Sequence, residues 1–310
     1  MLLMKYFFKY LFLFNAISFF FFYQCNSFQL DEISKGIFLH YGQQEDNSPV
    51  NKGDIANIGF IVGNKSVMVI DTGGSPRIGK MLLESIKKIS KLPISHVVIT
   101  HGHPDHFFGI SAFDKTDAEI VGHERLDRSI ASNFDFYKQI QISTTLDPSL
   151  KDTKQFFVDK SIKINEETII NLGDREIIVK AWESGHTDND LTIYDSKTKT
   201  LWTENVFNER VPSVRASITG WLSNLKALEK LEINKIVPGH GPVKSKEESI
   251  RPMINYFNRI IREVRIFHNT NRTLFEAQKF IARKNEENWL LYEQYNASNV
   301  SKAFTELEWE

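Results

Sequence analysis

The stretch THGHPDHFFG, residues 100–109, crowds His101, His103, Asp105 and His106 into a few positions, with Gly109 close behind. Side chains this easily charged are seldom packed together unless they bind something. Neutral imidazole is the commonest metal ligand, and a nitrogen–oxygen donor set suits zinc. HVVIT, 96–100, reads as a short buried strand, so the histidine loop starts from a rigid origin. Two residues apart on an extended loop, His101 and His103 can face one ion. Asp105 and His106 lie where a helix should start, placed to face a second ion nearby. Two further signatures follow: His186 in SGHTDND and His240 in VPGHGP. Each comes after a predicted strand and a glycine that permits a sharp bend. His40, His96, His123 and His268 lack such company and read as surface or helix-cap residues.

Composition narrows the chemistry. Cys25 is the only cysteine in 310 residues. It lies in an N-terminal segment, 1–27, where Lys5 and Lys9 precede an apolar run from Leu11 to Tyr23. That run fits a secretory signal with cleavage after Ser27 and is short for a spanning helix, with an uncleaved membrane anchor as the alternative. Export to the periplasm is the expectation. Without Cys25 the mature chain has no disulfide, catalytic thiol or thiolate ligand. The formal net charge is −1, with acids and bases interspersed, so no basic stripe points to nucleic acid.

Short β-branched runs alternate with helical patterns, beginning with GFIVGNKSVMVIDTGG and a helix opened by Ser75-Pro76 whose inward face is Ile78, Leu82, Ile86 and Ile89. Residues 139–166 have weak periodicity and read as a long loop or lid. Strands resume through TLWTEN. Thr219 then caps a helix presenting Trp221, Leu222, Leu225, Leu228 and Leu231 inward. Past Val243 the pattern is helical. The expected architecture is α/β in layers, with a domain over 28–243 and a C-terminal helical extension over 244–310 packed on it.

VIDTGG, THGHPDH, SGHTDND and VPGHGP, in this order and strand context, resemble the metallo-β-lactamase-fold hydrolases over roughly residues 35–243. RVPSVRASITGWLSNLKALEKLEINKIVPGHGP and the ending NVSKAFTELEWE resemble, more narrowly, a bacterial subgroup named quinoprotein relay system zinc metallohydrolases. The resemblance implies an αββα sandwich with metals at one edge of two sheets. It implies that His101, His103 and His186 hold a first zinc and that Asp105, His106 and His240 hold a second. Asp71 would support the ligand loops from behind. One position departs. Where the family has an aspartate bridging both ions, this chain aligns Asn205, a weaker neutral ligand, so one or two zinc ions are open. Glu204 is anionic, but strand alternation turns it away unless the strand bulges.

The implied activity is hydrolysis by metal-bound hydroxide, with Asp105 orienting the water and moving its proton. No G-x-S-x-G elbow, Walker loop or G-x-G-x-x-G loop competes. An ester, thioester, lactone, amide-type or related small substrate fits. Arg210 and Arg215 are candidates for an anionic group, with solvated surface as the plainer reading. Phe107, Phe108, Phe207 and Trp221 read as core before substrate contact. A quinoprotein dehydrogenase system is the implied partner. The alternative is a non-catalytic metal-binding accessory protein for that system, which Asn205 slightly favours.

Overall fold

The computed structural model describes residues 28–310. The signal-peptide reading of 1–27 falls outside them. Among the described residues no helix is long and apolar enough to cross a membrane.

Twelve strands form two sheets. The first runs in chain order: β1 (Asp31–Ser34), β2 (Ile37–His40), β3 (Ile58–Val62), β4 (Val67–Ile70), β5 (Ile94–Val98), β6 (Glu119–His123) and β7 (Lys160–Ile162). Strands β1 to β4 pair antiparallel and β4 to β7 parallel. The second sheet is ordered β12 (Lys235–His240), β11 (Thr200–Phe207), β10 (Leu191–Asp195), β9 (Glu176–Ala181) and β8 (Glu167–Asn171). Only β11 and β12 pair in parallel there.

The sheets close on each other through Leu39, Ile70, Val98 and Val121 from one side and Val179, Ile193, Trp202 and Val237 from the other. Helices cover both outer faces. On the first sheet lie α1 (Pro76–Ile89), α2 (Pro104–Phe107) and α3 (Leu126–Thr145), sharing a core with Phe60, Val69 and Val97. Helix α1 forms where expected: Ser75 accepts from the Ile78 amide, Pro76 opens the first turn, and Ile78, Leu82 and Ile86 are buried. Ile89, the last residue of the helix, is exposed instead. On the second sheet lie α4 (Ile218–Glu229), α5 (Lys246–Asn269), α6 (Leu274–Phe280) and α7 (Tyr292–Glu306). The C-terminal helices share one buried cluster with α4 and β11, so the layers read helix, sheet, sheet, helix.

Four expectations are corrected. The segment 139–166 is not a lid: α3 runs on to Thr145, a 3₁₀ turn follows at Pro148–Asp152, and β7 begins at Lys160. Its helical signal is weak because polar Gln141 and Thr145 occupy inward positions, Gln141 reaching Gly74 O at 3.0 Å and Asn47 Nδ2 at 2.9 Å. The cap of α4 is Ser217, which accepts from the Gly220 amide, while Thr219 lies inside the first turn. Leu231 lies beyond the end of α4 and is exposed. His40 and His123 are buried, not surface, residues. His40 bonds Asp54 Oδ1 at 2.8 Å and His123 bonds Trp182 O at 3.1 Å.

Candidate metal centre

The histidine loops meet at the edge where β4 and β5 end and where β12 ends beside them. Strand β5 stops at Val98, and the chain runs through Thr100 to His101 and His103 before Pro104 opens α2. The link between β9 and β10 carries His186, and β12 ends on His240.

Two sets of three ligand atoms converge there. His101, His103 and His186 form one, Asp105, His106 and His240 the other, with the atoms of each set within 4.8 Å of one another. His103 Nδ1 lies 2.9 Å from His101 Nε2 and 3.1 Å from His186 Nε2. Ligand nitrogens on one tetrahedral zinc sit about 3.4 Å apart, so these rings already aim at a common point. Asp105 Oδ2 lies 3.4 Å from His106 Nε2 and 3.5 Å from His240 Nε2.

The far nitrogens of His101, His106, His186 and His240 are held, which fixes their tautomers. His186 Nδ1 bonds Ser213 O at 2.9 Å, and His240 Nδ1 bonds Ile55 O at 2.8 Å. Asp71 serves two rings. His106 Nδ1 donates to Asp71 Oδ2 at 2.8 Å, and the Thr100 hydroxyl donates to the same oxygen at 2.7 Å. That hydroxyl in turn accepts from His101 Nδ1 at 3.1 Å. Asp71 is fully buried, with a left-handed φ of 54° that a non-glycine residue adopts only when its surroundings impose it.

The element joining the two sets is Glu204. Its carboxylate is 0% exposed, lies 3.5 Å from His106 Nε2, and forms a third ligand group with His101 and His106, one ring from each set. The expectation that strand alternation turns Glu204 away is corrected. Strand β11 pairs Thr203 with Pro238 and then Phe207 with His240, so four steps along β11 match two along β12. The irregularity breaks the alternation and swings Glu204 inward. The Asn205 amide lies beside Gly185, where a Cβ would stand 3.1 Å from Asn205 Oδ1, and its nitrogen and oxygen are also buried without a hydrogen-bond partner.

Gly239 makes this possible. It does not have the left-handed φ that a sharp bend would require; it supplies room, since a Cβ there would stand 1.8 Å from Glu204 Oε2. Gly239→Ala is therefore expected to fold but to displace the Glu204 carboxylate. Circular dichroism should match the wild type while elemental analysis finds about one fewer metal per chain. Full metal content in that variant would count against this role for Glu204.

Burial holds His101 and His186 well below the usual histidine range and lowers His103 to about 4 and His240 to about 3. At neutral pH these rings are uncharged and offer lone pairs. Burial also opposes charge on His106, but Glu204, Asp105 and Asp71 around it outweigh that and raise it well above the usual value. Burial pushes the Glu204 carboxyl well up. Neither Glu204 oxygen nor His106 Nε2 has a hydrogen-bond partner. An uncompensated buried charge costs several kcal/mol, so a cation belongs where these atoms meet. A metal ion bound by nitrogen and oxygen fits that place.

The cavity above the centre has a volume of about 570 Å³. His103, Asp105, His186 and His240 line it, together with Tyr137 and Ile140 of α3 and with Arg210 and Arg215. Arg210 is 6% exposed, not a solvated surface residue, and pairs with Asp46 at 3.6 Å. Arg215 is exposed and, among the described residues, has no ion-pair partner. Phe107, Phe108 and Trp221 are core. Phe207 backs the site, its ring 5.2 Å from His186 and 4.9 Å from His240.

Several residues that hold the site escaped sequence reasoning because they tie loops distant along the chain. Asn189 Oδ1 accepts from the Gly102 amide at 2.7 Å, joining two histidine loops. Asn57 Nδ2 bonds Pro238 O and Gly241 O, both at 2.8 Å, clamping the turn around His240. Asp190 accepts from the Thr187 amide beside His186. Helix α7 braces the arginine loop: Asn299 bonds Pro212 O and the Val214 amide, and Glu306 accepts from the Ile218 amide at the start of α4.

A sandwich of two mixed sheets between helices gathers imidazoles and carboxylates at one edge, the makings of a metal site. The chain belongs to the Metallo-beta-lactamase superfamily, whose profile matches residues 51–240. It is 20% identical over 232 residues to a Metallo-beta-lactamase type 2 from Bacillus sp. (strain 170), covering 72% of this chain and 80% of that one. It is 36% identical over 67 residues to a Linear primary-alkylsulfatase from Pseudomonas sp. (strain ATCC 19151), 22% of this chain and 13% of that protein. Among solved structures, a sec-alkylsulfatase from Pseudomonas sp. superposes with a TM-score of 0.70 at 17% identity, over 91% of this chain and half (50%) of that one. A metallo-beta-lactamase from Pontibacter korlensis gives 0.59 at 19% identity, over 74% of this chain and 98% of that one. Both superpositions speak to the fold.

Proposed function

We propose that this chain is a zinc hydrolase acting on a small anionic substrate, exported, and serving a quinoprotein dehydrogenase system. The observation that carries the hydrolytic part is the pair of converging ligand sets, with Glu204 grouped with one ring of each, beneath a cavity lined by His103, Asp105, His186 and His240. His101, His103 and His186 would hold one ion, and Asp105, His106 and His240 the other. Glu204, rather than Asn205, would stand between them. When bound, zinc lowers the pKa of water from about 15.7 to about 7 and polarises the bond under attack.

The chain's own groups supply the rest. Asp105 lies at the floor of the cavity; burial pushes its carboxyl up, but His106, His240 and His103 outweigh that and keep it anionic. It accepts a hydrogen bond from the attacking water, then passes the proton to the leaving group. Arg210 and Arg215 face a negative group on the substrate. Export rests on the composition of residues 1–27, and the quinoprotein link rests on the sequence resemblance alone. The relatives named as a lactamase and as alkylsulfatases support hydrolysis. With Glu204 available, Asn205 no longer favours a non-catalytic accessory role.

Metal removal tests this. Protein dialysed against chelator is expected to lose hydrolysis of a panel of carboxylate-, sulfate- and phosphate-bearing esters and to regain it with about two zinc ions per chain. Zinc uptake without turnover on any of them would leave the accessory role in its place.

A further inference from the structure

The cavity wall on the α3 side is apolar where it meets solvent. Phe136 is 63% exposed and Ile140 is 39% exposed; both line the cavity. Four residues apart on one helix, they share a face. Exposed apolar side chains that adjoin one another at the lip of a cavity mark a surface suited to an apolar ligand. Tyr137, next along α3, continues the wall inward, its ring 6.3 Å from that of His103. The same cavity is lined by Arg210 and by Arg215, which among the described residues has no ion-pair partner. It therefore offers fixed positive charge together with an exposed apolar surface.

We infer that the substrate is an anionic amphiphile. Its charged group faces Arg210 and Arg215, and its apolar chain leaves the cavity over Phe136 and Ile140. This rests on the hydrolase reading for the chemistry at the floor, but not for the binding it predicts. The lip touches a chain from one side only, so each methylene gains about half of the roughly 0.8 kcal/mol of full burial, or about twofold in affinity.

The test uses zinc-loaded protein and straight-chain alkylsulfonates, which cannot be hydrolysed at the carbon–sulfur bond. They are titrated calorimetrically below their micelle concentrations. From butane- to octanesulfonate the affinity is expected to rise about sixteenfold, following from twofold for each of four methylenes. In the double variant Phe136→Ser/Ile140→Ser that ratio should fall below about fourfold. In Arg215→Gln all chain lengths should weaken alike, about tenfold, with the ratio kept. A flat dependence on chain length overturns the inference. So does an unchanged ratio in the double variant, the result expected if the exposed residues instead serve docking to a lipid surface. Turnover of the ester panel judges the hydrolase reading separately, so the two can fail independently.

Discussion

Glu204→Gln is expected to lower the zinc content of the purified protein from about two ions per chain to about one. The substitution keeps the shape of the side chain and removes its charge. That charge lies 3.5 Å from His106 Nε2, and no protein donor satisfies either oxygen. Two cations held a few ångströms apart need an anion between them, because their repulsion in a buried site is only weakly screened. Elemental analysis measures this. Asn205→Asp should leave the zinc content unchanged, since that side chain faces Gly185. Two zinc ions in Glu204→Gln, with tighter binding in Asn205→Asp, would return the bridging place to position 205.

The other large effect is expected at Asp105. In Asp105→Asn the shape persists, but the carboxylate that orients the attacking water and moves its proton is gone. The kcat should fall by about 10²–10⁴, the span of a positioned acid–base group. KM should change little, because the interaction belongs to the transition state. Asp105 also lies beside His106 and His240, so metal loss alone could lower activity. Assays in saturating zinc separate the two: a kcat that stays low at full occupancy assigns the proton role, and a kcat restored by zinc reduces Asp105 to a ligand.

The ligand loops were legible because short-range pattern and metal chemistry coincide there. THGHPDH holds four candidate donors in a row, and each further histidine sits at the end of a recognisable strand. Helix α1 was legible because its apolar spacing is regular and Ser75-Pro76 marks its start. Helix α3 was hidden beyond residue 138 because Gln141 and Thr145 are buried through hydrogen bonds rather than through apolar surface. Arg210 looked like a surface residue because Tyr295, which covers it and bonds its partner Asp46, arrives from α7 far along the chain.

The sequence by itself determined the α/β class and the candidate histidines, since periodicity and donor spacing are local properties of the chain, while the sandwich and the grouping into two sets followed from the resemblance its motifs carry. What only the tertiary structure decided is which acid joins the two sets. Alternation on a regular strand excludes Glu204. The mismatch between β11 and β12 and the space left by Gly239 admit it. Both depend on two strands lying side by side, and pairing across a sheet is a long-range relation that no local pattern encodes.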